Sequence, residues 1–98
     1  MDFKLIRSPS NGTKNILLKR TGLNKNYDEF DTIGLIQGKA IDMIYAVDIA
    51  EKSANVIIED VRGLCPQHFI LIAIFGDMSS VETAISEVKL KFEKGGCL

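Results

Sequence analysis

One short segment in the second half of the chain holds the residue types best suited to chemistry. It runs Gly63-Leu64-Cys65-Pro66-Gln67-His68 and contains the only histidine and one of the two cysteines. A cysteine thiolate binds soft metals and iron–sulfur clusters, but a cluster takes about four thiolates, so one chain cannot hold it alone. Because a single cysteine in a loop is weak grounds for a site, a free reduced thiol is the simpler interpretation of Cys65.

The backbone of this segment is well suited to presenting the sulfur. Pro66 fixes its own φ and restricts Cys65 to extended conformations, which could hold the thiol in one direction. Gly63 allows the chain to turn sharply. His68 begins an apolar run, so we interpret it as a structural or rim residue with, at most, an accessory role.

No set of residues indicates an enzyme. The sequence has no Ser/His/Asp set, no Cys-x-x-Cys pair and no Walker or dinucleotide-binding loop. Asp60 and Arg62 flank the segment and are interpreted as a solvated pair. Cys97 lies in a Gly-Gly-Cys-Leu tail and is interpreted as an ordinary thiol. We therefore predict a protein without catalytic residues.

Composition limits the class of protein. The chain has 98 residues, 46% of them apolar and 26% charged, which is typical of one globular domain spanning 1–98. A net charge of −1, with no basic stretch interleaved with aromatics, disfavours a nucleic-acid partner. No run of about 18 apolar residues and no export signal are present, so neither a membrane span nor secretion is predicted. Two cysteines fit a reducing, cytoplasmic location.

Patterning predicts three strands and two helices in residues 31–94. The strands are Asp31–Gln37, Val56–Val61 and Phe69–Phe75, and the helices are Lys39–Ala54 and a segment that starts at a Ser79–Glu82 capping box. The second helix would bury Val81, Ala84, Ile85, Val88 and Phe92 and end at Gly95-Gly96. The first is apolar over so wide an arc that it must be covered on two sides.

This order is a split βαβ pattern that lacks its last strand. The pattern puts both helices on one face of an antiparallel sheet, which is an α+β, ferredoxin-like fold. Residues 1–30 offer two candidates for the missing strand, Phe3–Arg7 and Asn15–Arg20, separated by turn residues. Either would make the fold a circular permutation, and Leu23–Glu29 is predicted to be a connecting loop.

Three motifs in this body resemble the shell domain of bacterial microcompartments, the BMC domain. They are Gly34-Leu35-Ile36-Gln37-Gly38-Lys39-Ala40, Lys52-Ser53-Ala54-Asn55-Val56 and Gly76-Asp77-Met78-Ser79-Ser80-Val81 with Ala84. They follow the family's order and spacing, and the resemblance covers roughly Thr32 to Phe92. The N-terminal position of the missing strand resembles the permuted branch known from ethanolamine and propanediol compartments.

The resemblance implies a homohexamer that tiles with other shell proteins around encapsulated enzymes. The loop Gly63 to His68 would line its central pore, and Lys39 would match the family's lysine at contacts between hexamers. In permuted relatives, extra N-terminal strands form a small barrel over the pore, and Phe3–Arg7 would be the candidate here. The location implied is the shell of a cytoplasmic microcompartment.

The segment Gly63-Leu64-Cys65-Pro66-Gln67 is similar to the Gly-x-Cys-Pro-Gln loop of the iron–sulfur-binding shell protein of glycyl-radical propanediol compartments. On a six-fold axis, six copies of Cys65 would converge, and four could ligate one cluster, expected to be 4Fe–4S. Such a cluster could carry electrons across the shell or help supply one to an enclosed enzyme.

Two other functions stay open at this point. The first is a plain pore-forming shell tile that passes small polar metabolites without any metal. The second is a ligand-binding regulatory domain of ferredoxin-like fold, usually a dimer. Metal content separates the first from the iron–sulfur hypothesis, and size in solution separates the second from both.

Overall fold

A computed structural model of the chain describes residues 1–22, 30–62 and 69–93. In chain order the elements are β1 (Asp2–Arg7), α1 (Asn11–Arg20), β2 (Thr32–Lys39), α2 (Ala40–Ser53), β3 (Ile57–Val61), β4 (Phe69–Gly76) and α3 (Met78–Glu93). The three predicted strands and two predicted helices of the body are therefore present, with ends that differ by one or two residues. The predicted loop Leu23–Glu29 and the predicted stop at Gly95-Gly96 lie outside the described residues.

The strands form one antiparallel sheet in the order β1-β2-β4-β3. β1 pairs with β2 from Asp2 opposite Gln37 to Arg7 opposite Thr32. This places β1 where the split βαβ pattern lacks its last strand, so the permuted α+β fold is confirmed. It also shows that assigning Phe3–Arg7 to a separate barrel is wrong, because these residues are paired along the whole of β1 within the main sheet.

The two body helices pack against each other and cover one face of the sheet. This face buries Ile36, Met43, Ile72, Ile74 and Val88 in one apolar cluster. The α3 stripe is as predicted, with Val81, Ala84, Ile85 and Val88 buried and Phe92 packed against them. Alternate residues of β4, Ala73 and Phe75, are fully buried on the opposite face, which explains why its apolar run is continuous.

The other face is covered in part by α1, which the sequence analysis assigned wrongly. Asn15–Arg20 was a candidate strand, but it forms the second half of this helix. Ser8 takes a left-handed conformation (φ 49°) between β1 and α1, and the Ser10 hydroxyl then caps the helix by accepting from the Thr13 N–H at 3.3 Å. Leu17 is the one α1 residue that is buried, against the cluster around Phe75.

The start of α3 also differs from the capping box predicted at Ser79. Asp77 precedes the helix, and its Oδ1 accepts from the Ser80 N–H at 2.8 Å and from the Ser79 hydroxyl at 3.2 Å. Ser79 therefore lies inside the first turn. Glu82 pairs with Arg7 of β1 at 2.8 Å instead of reaching back to a cap.

Within the three described ranges, no helix combines the length and the apolar character needed to cross a bilayer.

Candidate functional site

The predicted pore loop connects β3 to β4 at one end of the sheet. The last paired residues of this hairpin are Val61 and Leu71. Residues 63–68, which include Cys65 and His68, lie outside the described residues, so the structure locates the predicted site only through the strand ends that carry it. We call this the hairpin end of the sheet.

The base of the hairpin is fastened to α1. The Arg62 N–H donates to the Arg20 carbonyl at 2.8 Å, and Arg20 Nη1 donates to the Arg62 carbonyl at 3.3 Å. Lys19, Arg20 and Arg62 line one cavity beside Ile16. The sequence analysis missed this basic cluster because it assigned Asn15–Arg20 to a strand, although the Lys-Arg pair is of the kind that often ends a helix.

Asp60 and Arg62 were interpreted as a solvated pair, but they line different cavities. Asp60 is exposed and borders a groove beside α2, whereas Arg62 lies in the cavity next to α1. The structure therefore places the two side chains in different cavities and does not show them as a pair.

Lys39 also lies at the hairpin end. It is the last residue of β2, it is exposed, and it stands opposite Phe69, the first residue of β4. It caps α2 without a side-chain hydrogen bond. A lysine in this position is on the same side of the molecule as the predicted pore loop.

On the side of the sheet that ends in β3, α2 leaves apolar residues exposed. Ile41 is 77% exposed and Ile44 is 69% exposed, and we call this pair the α2 ridge. Beside it lies a groove of about 320 Å³, lined by Met43, Ile44, Val47, Ile58, Asp60, Ile70 and Ile72. The sequence analysis expected α2 to be covered on two sides, and within one subunit its ridge side remains exposed.

On the opposite side, β1 and α3 enclose a second groove of about 410 Å³, which we call the β1 groove. Its floor includes Leu5, which is 37% exposed, and Ile85. Lys89 borders it, with its Nζ 5.0 Å from the centroid of the Phe3 ring. Arg7 closes one end through its ion pair with Glu82.

No three His, Cys, Asp or Glu side chains come together as a metal site in residues 1–22, 30–62 and 69–93. Both cysteines and the histidine fall outside these ranges. The metal and cofactor site predicted at Cys65 therefore stays a prediction.

Comparison with protein families and solved structures identifies the fold. The sequence model of the BMC domain family matches residues 32–98. No curated protein matches the chain significantly.

Two similar solved structures are ligand-free GrpU microcompartment shell proteins. The one from Clostridiales bacterium 1_7_47FAA is 42% identical, with a TM-score of 0.75 over 97% of this chain and 95% of that chain. The one from Pectobacterium wasabiae is 25% identical, with a TM-score of 0.69 over 90% of this chain and 99% of that chain.

A third similar structure is a fused permuted hexameric shell protein from the RMM microcompartment. It is 18% identical, with a TM-score of 0.70 over 97% of this chain and 45% of that chain, and at this identity it supports the fold alone. The family match over two thirds of the sequence and the close GrpU relative lead to one conclusion. The chain belongs to the BMC domain family and is a structural shell protein of a bacterial microcompartment.

Proposed function

We propose that this shell protein closes into a cyclic hexamer with the hairpin end of each sheet at the centre, so that residues 63–68 line a pore. The observation that carries the proposal is the sheet order β1-β2-β4-β3 in a BMC domain. In this order β3 and β4 are adjacent, and the connection between them lies at one end of the sheet. A ring with that end at its centre would bring six copies of the connection together. Family membership decides against the regulatory-domain alternative.

At this pore we propose an iron–sulfur cluster held by Cys65 from several subunits. The donor set supports sharing between chains, because each chain supplies one thiol in the connection and a cluster takes about four. The described residues of one subunit offer no competing metal site. Six copies would provide four ligands with two to spare.

When bound, the cluster would supply one-electron transfer through the shell, or an electron for an enclosed enzyme. The protein's own part is to bring the thiolates together and to set the charge around them. Arg20 and Arg62, fastened to each other at the base of the hairpin, are cations placed beside the connection that carries Cys65. The similarity of the Gly-x-Cys-Pro-Gln loop makes a glycyl-radical diol pathway part of the same proposal.

Metal analysis after purification without oxygen tests the cluster. We expect a coloured hexamer with iron and sulfide in equal amounts, and a colourless hexamer without either for Cys65→Ser. Cys97→Ser is the matched control and should keep the wild-type iron content. A colourless wild-type hexamer would remove the cluster and leave the plain metabolite pore as the function.

A contact between neighbouring hexamers through Lys39, which the resemblance implies, conflicts with a ring that has the hairpin end at its centre. Lys39 lies at the hairpin end, so in a flat ring centred on that end it would face inward, away from the perimeter. The variant Lys39→Ala distinguishes a position at the perimeter of the hexamer from a position at its centre. Intact hexamers that no longer form sheets would support the perimeter contact, and unchanged sheets would contradict it.

A further inference from the structure

The helices on the two faces of the sheet carry opposite net charge. α1 contains Lys14, Lys19 and Arg20 and has no acidic residue. On the other face, α2 and α3 contain three carboxylates each, against one lysine in α2 and two in α3. The face that carries α1 therefore attracts acidic partners, whereas the face that carries α2 and α3 repels them.

The cations of α1 lie beside an exposed apolar side chain. Ile16, Lys19 and Arg20 are spaced i, i+3 and i+4, so they share one face of the helix. Together with Arg62 they line a cavity of about 530 Å³, and Ile16 is 59% exposed. We call these four residues the α1 patch. An apolar side chain among cations offers a partner both contact area and charge.

The α1 patch lies close to the proposed cluster. The hydrogen bonds between Arg20 and Arg62 hold the end of α1 at the base of the hairpin. Cys65 follows Arg62 by three residues, so the length of the chain keeps their Cα atoms within about 11 Å of each other. In the proposed hexamer the patch is therefore repeated six times around the pore, on one face of the ring.

We propose that the α1 patch is the docking site of a small acidic electron-carrier protein that serves the cluster at Cys65. The inference rests on the proposed function and adds the partner and the surface that receives it. The reduced carrier loses one electron, the cluster gains it, and no bond is made or broken. Contacts between electron-transfer proteins are small and are steered by charge, which suits a patch of three cations beside one apolar side chain.

A protein suits the α1 patch better than a nucleic acid does. Ile16 offers nothing to a phosphate backbone but adds to a contact with apolar side chains of a protein. Glu59 also lies near the patch, because its Oε1 accepts from the Gly22 N–H at 3.2 Å. A continuous line of phosphates would meet this carboxylate, whereas a protein can place its acidic residues opposite the cations alone.

Binding to a protein without the cluster tests the docking site by itself. The probe is a fluorescently labelled acidic plant-type ferredoxin, and its anisotropy is titrated with Cys65→Ser hexamer. We expect binding that weakens as salt is added. Adding Lys19→Glu should weaken it about tenfold at low salt, since a cation that faces the partner becomes an anion. Lys91→Glu makes the same change in charge on α3, on the other face, and should leave the affinity unchanged.

Electron transfer tests the link to the cluster. The reduced ferredoxin is mixed without oxygen with hexamer that carries Cys65, and the change in colour is followed by stopped flow. The second-order rate for Lys19→Glu should be about tenfold lower than for the wild type at low salt. The two rates should converge at high salt, because salt screens the attraction. The iron content of Lys19→Glu should equal that of the wild type.

The outcomes separate this inference from the proposed function. Equal affinities of the Lys19→Glu and Lys91→Glu proteins for ferredoxin, or equally tight binding of a short DNA duplex, would overturn the docking site and leave the cluster in place. A wild-type hexamer without iron that still binds ferredoxin would overturn the cluster and, with it, the electron carrier as the partner.

Discussion

The carboxylate of Asp77 shows how a single residue sets the start of a helix. Its Oδ1 accepts hydrogen bonds from the Ser80 N–H and from the Ser79 hydroxyl. The hydrogen bond from Ser80 lowers the pKa of the carboxyl below its ordinary value of 3.8, since that bond favours the charged form. The same amide would lack a partner if the helix began without a cap.

This pKa shift predicts a dependence of stability on pH. A carboxyl whose pKa is lower in the folded state stabilises the protein above pH 3.8, and that contribution is lost as the pH falls through the lowered value. We expect Asp77→Ala to unfold at a lower urea concentration than the wild type at pH 7, with the difference shrinking at pH 3 and below.

Asp77→Asn is the control for charge, because asparagine is also a good cap but does not titrate. It should retain most of the wild-type stability at pH 7 and lack the acid-dependent component. A difference between the wild type and Asp77→Ala that stays constant from pH 7 to pH 3 would contradict the assignment.

The competition between Asp77 and Ser79 also explains a wrong prediction. Both residues are good caps, and Ser79 with Glu82 matches the capping-box pattern. β4 continues to Gly76, so the chain turns at Asp77 and the first available cap is used. Glu82 is then drawn to Arg7 of β1, a partner 75 positions away that no local pattern reveals.

At the scale of elements, α1 is the helix that packs least firmly against the rest of the fold. It has one buried residue, Leu17, whereas α2 and α3 each bury four. Its remaining apolar side chains, Ile16 and Leu18, are 59% and 43% exposed. Isolated helices of ten residues are marginal in water, so the anchoring of α1 depends on Leu17 and on the hydrogen bonds between Arg20 and Arg62.

Truncation of Leu17 is therefore expected to cost about 2 to 3 kcal/mol of unfolding free energy, the lower part of the range for a buried leucine. Ile16→Ala, one position earlier and exposed, should change it by less than about 0.5 kcal/mol. Urea unfolding followed by circular dichroism measures both, and equal effects of the two substitutions would show that α1 does not rest on Leu17.

The same helix shows where sequence patterns stop being informative. The run Ile16-Leu17-Leu18 is too short to distinguish a strand from a helix by period. The Ser10 cap is a local signal for the helix, but Pro9 and Gly12 beside it equally suggest a turn. The bounds of β4 and the start of α3 were predicted to within two residues. The long apolar run of β4 fits only a strand buried on both faces, and the complete apolar stripe of α3 fits only a helix.

At the scale of the whole molecule, a fold of this size gains from assembly. About 60 to 70% of the unfolded surface of such a domain is buried on folding, so each subunit keeps a thin core. We expect the thermal midpoint of the wild type to rise with protein concentration, since the hexamer binds only folded subunits. A midpoint of the wild type that does not change with concentration would argue against assembly.

For the candidate site, the sequence could predict only that a cysteine lies in the connection of a hairpin. One Cys65 per chain gives the ligand, but the number of copies around it is a property of the assembly and not of the chain. The wide apolar arc of α2 in the sequence indicated that part of this helix needs a second covering surface, and the α2 ridge is that part. Which isoleucines remain exposed depended on how α2 packs against α3, β2 and β4.

The position of the first residue has a practical consequence. Met1 lies within 3.5 Å of the place where a Cβ on Gly38 would be, and β1 starts opposite Gln37 near the hairpin end. In a ring centred on that end, an affinity tag ahead of Met1 would be repeated six times in the crowded middle. Such a fusion would be expected to obstruct passage or distort the assembly.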